Sequence, residues 1–263
     1  MARVRRLLRR SVAQVIAIAV GLVFLFPLLA IFNVSTQGQG LLENYSAVLT
    51  ETSFFRFSLN SLVIAVGTIV LTYAATMTAA YAFAKLKLPG KDILFFAILA
   101  GLVLPSATLI VPLFIAVREL GLFNNYLAVI VPLAALSIPF LLLIARNFIE
   151  GIPDEILDAA KIDGCGSFRT LMVIVLPLSA PITVVLVVLV YLWSWNEFLL
   201  PLLFFQDPTM QVVTQVPLAF TSQYASDTPK IFAALVLISL PVVAIYIALQ
   251  RAFESGLTSG SLK

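Results

Sequence analysis

The sequence predicts an all-α membrane protein with about six transmembrane helices. Of its 263 residues, 61% are hydrophobic and only 11% charged, against about 45–50% and about 25% in ordinary soluble domains. Mean hydropathy is +1.08, an apolar excess that a soluble interior is too small to hold and that lipid can cover. Apolar windows of the length that spans a bilayer, about 20 residues, recur near 11–33, 59–83, 93–117, 124–145, 181–204 and 230–250. A single transmembrane domain over 1–263 is expected.

Each window carries its own marks. The first follows Arg3, Arg5, Arg6, Arg9 and Arg10, which could open a signal peptide. Its apolar run from Val12 to Phe32 is too long for that, and no small-x-small cleavage site closes it, so an uncleaved span is expected. The second holds Thr72, Ala74, Ala75, Thr76, Thr78, Ala79 and Ala80, small side chains that let another helix pack closely. Pro105 and Pro112 interrupt the third span, Pro132 and Pro139 the fourth, and Pro241 the sixth. Each proline removes an N–H and kinks its helix, which neighbouring helices can absorb. The stretches 34–58 and 205–229 read as outer loops. N-x-S sequences at Asn33 and Asn44 match glycosylation acceptors, with chance the preferred explanation.

Orientation follows from the cations. With the N-terminus inside, the inner segments hold the five leading arginines, Lys85, Lys87, Lys91, Arg146, Lys161, Arg169, Arg251 and Lys263. Only Arg56, Arg118 and Lys230 fall outside. Cytoplasmic loops carry such an excess, so both termini are expected in the cytoplasm. The net charge of +3 therefore reflects the membrane rule and calls for no nucleic acid.

Reactive side chains are few. There is no histidine, which excludes His-based proton shuttles, His-ligated haem and His zinc sites. The single Cys165 can form neither an internal disulfide nor a multi-cysteine metal site. No G-x-x-x-x-G-K-[ST] phosphate loop is present. No catalytic, cofactor-binding or metal-binding residue is assigned, though an intramembrane enzyme built on carboxylates or serines stays open on composition.

The longest inner loop, 147–180, reads as helix, sharp turn, helix. Pro153 suits a first helical position, and Asp154 and Glu155 complement the positive end of the helix dipole. Gly164 supplies a left-handed close near Asp163, with Gly166 adding freedom. Ser167 can cap a second helix that carries Phe168, Leu171, Ile174 and Val175 back toward lipid. Pro177 and Pro181 then set the bend into the fifth span. On the first helix Ile156, Ala159, Ala160 and Asp163 fall on a similar face, with Glu155, Asp158 and Ile162 beside it. An interfacial helix held by lipid headgroups would bring Lys and Arg to its polar face. This one brings mainly acids, so a protein partner is expected.

Asp158-Ala-Ala-Lys-Ile-Asp-Gly164, followed by Leu176-Pro177 and Pro181, resembles the EAA loop of bacterial ABC importer permeases. Asp158 departs from the family's usual Glu and keeps its charge on a shorter arm. Trp195-Asn196-Glu197-Phe198, Ala80-Tyr81-Ala82-Phe83-Ala84, Leu88-Pro89-Gly90-Lys91 and the ending Gly256-Leu257-Thr258-Ser259-Gly260 look like the carbohydrate-uptake, maltose-transporter-like branch. The resemblance runs from about residue 10 to the end. It implies a multi-pass bacterial inner-membrane subunit of a type I importer. Its partners would be a second and usually different permease, two copies of a cytoplasmic ATPase and an external solute-binding protein. ATP and Mg would sit on the ATPase, leaving no cofactor on this chain. By the same resemblance, Glu155, Ile156, Asp158, Ala159, Ala160, Ile162, Asp163 and Gly164 dock on the ATPase.

Glu197 is the sharpest feature of the expected fifth span. A carboxylate there is costly and usually faces a bundle interior or a wet cavity. With Trp193, Trp195 and Asn196 it offers the hydrogen bonds and aromatic faces that suit a sugar. Alternatively the tryptophans belong to an aromatic belt and Glu197 makes a structural hydrogen bond. The function expected is thus an ATP-driven permease for a sugar or related polyol. The alternatives are a secondary transporter or channel without an ATPase, or a similar permease for a non-sugar solute.

Overall fold

The computed structural model describes residues 2–222 and 225–259, with the side chains of 13–222 and 225–250. Gly260 and Lys263 lie outside the described residues, as do the side chains of the leading arginines and Arg251. The fold is all-α, with no strand among the described residues. Four helices are each long and apolar enough to cross a membrane: Ala13–Ser35, Phe54–Lys85, Leu127–Glu150 and Thr228–Gln250. Two bent pairs, Lys91–Val103 with Ser106–Glu119 and Ser167–Leu178 with Ala180–Trp195, bring the number to six when each counts as one span.

The described residues form two compact units, one up to Phe54 and from Val216 to Leu240, the other from Phe55 to Gln215 and from Pro241. In the first, α1 (Ala2–Ser35) leaves its most apolar stretch unburied. Asn44 of α2 (Leu41–Glu51) closes the end of α1, its Nδ2 donating to the carbonyls of Ser35 (2.9 Å) and Gln37 (2.7 Å). The Ser35 carbonyl, at the end of α1, has no intrahelical donor, and that of Gln37 lies in the turn beyond, so the buried amide is a structural cap. The N-x-S sequence at Asn44 is thus engaged in the fold.

In the second unit α3 (Phe54–Lys85), α4 (Lys91–Leu99), α5 (Ile110–Glu119) and α6 (Leu127–Glu150) lead to the long loop. At Gly67 of α3, an added Cβ would lie 2.6 Å from Cδ1 of Ile130, so a larger residue there would have to displace the Ile130 side chain of α6. Of the small residues expected to receive a neighbour, Thr72, Thr76 and Ala80 are buried, whereas Ala74 and Thr78 are exposed. Beyond α6 come α7 (Asp154–Ile162), α8 (Ser167–Thr170), a π-helical turn at Leu171–Val175, α9 (Leu176–Leu178), α10 (Ala180–Trp195) and α11 (Leu199–Phe204), while α12 (Thr228–Ser259) belongs to this unit only from Pro241 on. One core cluster gathers Met77, Tyr81, Leu142, Ile149, Leu157, Val175 and Leu186, and another Ile64, Val129, Leu133, Leu200 and Phe204.

Two expected spans are broken rather than kinked. The third bends by 95°. Pro105 has no N–H to donate and pushes Leu104 into extended backbone (φ −78, ψ 120). Short 3-10 turns, Ala100–Val103 and Ser106–Leu109, flank the break. The fifth, expected over 181–204, ends at Trp195 and restarts as α11. In an unbroken helix the carbonyl of Glu197 would need the N–H of residue 201, which is Pro201.

Candidate functional site

Two places carry the chemistry. The first is the loop around α7. Pro153 occupies the N-cap, one position before the one expected, with Asp154 and Glu155 in the first turn. At the other end Gly164 has φ +77 and donates to the carbonyl of Lys161 (3.0 Å), while the Cys165 N–H donates to that of Ala160 (2.9 Å). That is a Schellman close, which answers orphan carbonyls and requires the left-handed residue. Ser167 does not cap the next helix: the extended residue that opens it is Gly166, and Ser167 is already helical. Leu171 and Val175, which share a face by their i, i+4 spacing, turn into the protein core beside Leu157 and not toward lipid. Phe168, by contrast, is exposed.

α7 is anchored by Leu157 and Ala160, both buried. Ala160 therefore faces the chain's own core, not an outer docking surface. Glu155, Ile156, Asp158, Ala159, Ile162, Asp163 and Gly164 are exposed, Ile162 by 87%. Ile156, Ala159 and Ile162 thus stand among the carboxylates of Glu155, Asp158 and Asp163. Lys161 pairs with Asp158 at 2.8 Å, and that hydrogen bond holds its ammonium above the ordinary lysine pKa. Lys85, the last residue of α3, donates to the carbonyls of Glu150 (3.2 Å) and Ile152 (2.6 Å) and to Oδ1 of Asp154 (2.7 Å). The hydrogen bond from Lys85, then its charge, holds the Asp154 carboxyl below the usual aspartate range.

The second place is a cleft of about 200 Å³ where both breaks meet, lined by Ser106, Ala107, Ile110, Leu113, Leu133, Leu136, Glu197, Leu199 and Leu200. Glu197 sits in the break, and its Oε1 accepts the N–H of Leu200 (2.9 Å), opening α11. The other three residues grouped with it do not line this cleft. Trp195 is buried and stacked on Tyr191, with centroids 5.7 Å apart. Trp193 lies against Phe140, and Asn196 returns its amide to the carbonyl of Leu192 (2.8 Å).

The described geometry has relatives. A bacterial ABC transporter involved in import of the acidic polysaccharide alginate has the same fold, with TM-score 0.78 over 92% of this chain and 95% of that one, at 21% identity. The trehalose transport system permease protein SugB of Mycobacterium tuberculosis is 32% identical, over 91% of this chain and 92% of that protein. The diacetylchitobiose uptake system permease protein NgcG of Streptomyces coelicolor is 30% identical, over 84% of this chain and 74% of that protein. Residues 74–259 match the family described as binding-protein-dependent transport system inner membrane component. The chain belongs to that family.

It is thus a permease subunit of an ABC importer in the inner membrane, and ATP is hydrolysed on a separate subunit. Permeases of this kind work with a partner permease, an ATPase and a binding protein. In this permease the sequence reading missed Lys85, noted only as an inner-side cation, and Thr214, whose hydroxyl donates to the freed carbonyl of Glu197 (2.8 Å). Pro201 was the available signal for the second, since a proline in an apolar run leaves a carbonyl to be answered elsewhere.

Proposed function

We propose that this permease forms half of the translocation pathway for a sugar or related polyol, the whole chain acting as one permease domain. Loop 147–180 couples it to the ATPase. The observation that carries the coupling is the outer face of α7, which sets exposed Ile156, Ala159 and Ile162 among Glu155, Asp158 and Asp163. An apolar centre with an acidic rim fits a cleft with basic edges. The assembly proposed is this chain, a different second permease, two ATPase copies that carry ATP and Mg, and an external binding protein. The loop and both termini lie on the cytoplasmic side, in line with the distribution of Lys and Arg.

The substrate class is supported by the relatives, a trehalose transport permease and a diacetylchitobiose uptake permease among them. Glu197 in a cleft between helix breaks supports it too, because discontinuous helices expose backbone groups where a solute can meet them. Purification from native membranes tests this, by subunit counting and by mass spectrometry of the ligand held by the copurified binding protein. A 2:2 assembly and a polyhydroxylated ligand are expected. A functional oligomer lacking an ATPase overturns the coupling, and an ion or amino acid as ligand overturns the substrate class. Cys165, the single cysteine, reports orientation: a membrane-impermeant thiol reagent is expected to label it in inverted vesicles and not in spheroplasts.

A further inference from the structure

We propose that Lys85 clasps the coupling helix α7 to the inner ends of α3 and α6, so that the three move as one body when the ATPase acts. The proposal rests on the reading that α7 meets the ATPase. Lys85 ends α3, yet its charged side chain is only 8% exposed. Its acceptors lie along the joint that follows α6: the carbonyl of Glu150 ends α6, that of Ile152 belongs to the linker, and the Asp154 carboxylate opens α7. Carbonyls at a helix end have no intrahelical donor and carry the negative end of the dipole. An ammonium has three N–H donors and no acceptor, and here all three converge on the joint between α6 and α7.

The two ends of α7 are held differently. Among the described residues, its side-chain hydrogen bonds to another helix run to Lys85 alone, since Lys161 pairs within α7. Toward α8 the chain passes through Gly164 at φ +77 and Gly166, a turn whose polar contacts are backbone ones. A push on α7 therefore reaches α3 and α6 through a charged joint whose ammonium is nearly buried, and the segment beyond Gly166 through a glycine turn and the packing of Leu157 against Leu171 and Val175. Arg146 strengthens the same end of α6, its guanidinium lying 4.5 Å from the centroid of the Phe95 ring.

Hydrogen exchange on the permease–ATPase complex in lipid nanodiscs tests the clasp, without nucleotide and after trapping with MgATP and orthovanadate. Without nucleotide, Lys85→Met is expected to speed exchange across 150–157 by about tenfold, and Lys85→Arg by no more than about threefold. On trapping, peptides covering 80–87 and 147–163 should change together in the wild type, whereas in Lys85→Met only 147–163 should respond. The clasp is overturned if Lys85→Met leaves exchange across 150–157 at the wild-type rate or keeps the paired response. No change at 147–163 in the trapped wild type would instead sink the docking reading. Should Lys85→Met fail to assemble, Asp154→Asn carries the test, because that carboxylate is 78% exposed and its loss removes only the ion pair. Faster exchange across 150–157 in Asp154→Asn supports the clasp, and an unchanged rate overturns it.

Discussion

The hydroxyl of Thr214 donates to the backbone carbonyl of Glu197 over 2.8 Å, and it does so where Pro201 denies that carbonyl its helical partner. The break between α10 and α11 is therefore held from outside its own helix. Thr214→Val keeps the shape and strands the carbonyl, which should lower stability by about 1–2 kcal/mol. Thr214→Ser should stay within about 0.5 kcal/mol of the wild type, since it restores the donor. Thermal unfolding of the purified complex gives the comparison, and equal melting for Val and the wild type would mean that water or another donor serves the carbonyl.

Glu197 has a structural and a chemical part to play, and Glu197→Gln separates them. The amide oxygen of Gln can still accept the Leu200 N–H, so the start of α11 should survive. The negative charge in the cleft is lost. If the carboxylate meets the solute, initial uptake should fall by about tenfold, the loss of one charged hydrogen bond, with assembly unchanged. Uptake at the wild-type rate would confine Glu197 to its structural role.

What the sequence disclosed depended on how local the physics was. The ends of α7 were legible because both are written in neighbouring residues: two acids in the first turn, and a glycine just past the last one for the left-handed close. Helical spacing grouped the residues of α7 by face but could not say which face turns inward, so Ala160 was placed outside although it is buried. The break at Glu197 was hidden because Pro201 lies in a run apolar enough to read as continuous span. Lys85 was illegible for another reason, as its acceptors stand 65 to 69 positions away and two are carbonyls, which any residue supplies.

The Lys85–Asp154 pair has a definite pH signature. Lys85 first and Lys161 more weakly hold the Asp154 carboxyl below its ordinary value, about 3.9. A carboxylate with a depressed folded pKa contributes fully above that ordinary value, and the contribution disappears as pH falls through the depressed one. The difference in protection across 150–157 between wild type and Asp154→Asn, corrected for intrinsic exchange, should thus be flat from about pH 5 to 8 and shrink only on stronger acidification. A difference that changes steadily between pH 5 and 8 would assign the effect to some other group.

Gly164 separates backbone conformation from crowding. A Cβ built there meets nothing within 4 Å, so any cost of substitution comes from φ +77. Gly164→Ala should weaken the turn by about 1–2 kcal/mol, the penalty for an L-residue in left-handed backbone, and reduce uptake partially. Gly164→Pro is harsher: proline cannot reach that φ, and it deletes the N–H that answers the Lys161 carbonyl at 3.0 Å. It should abolish ATPase-coupled uptake, while the apolar spans still insert because none of them includes this turn. Membrane fractionation and uptake measured on the same cells check both halves. Wild-type-like uptake by Gly164→Pro would mean that the angle set between α7 and α8 is not what the ATPase works against.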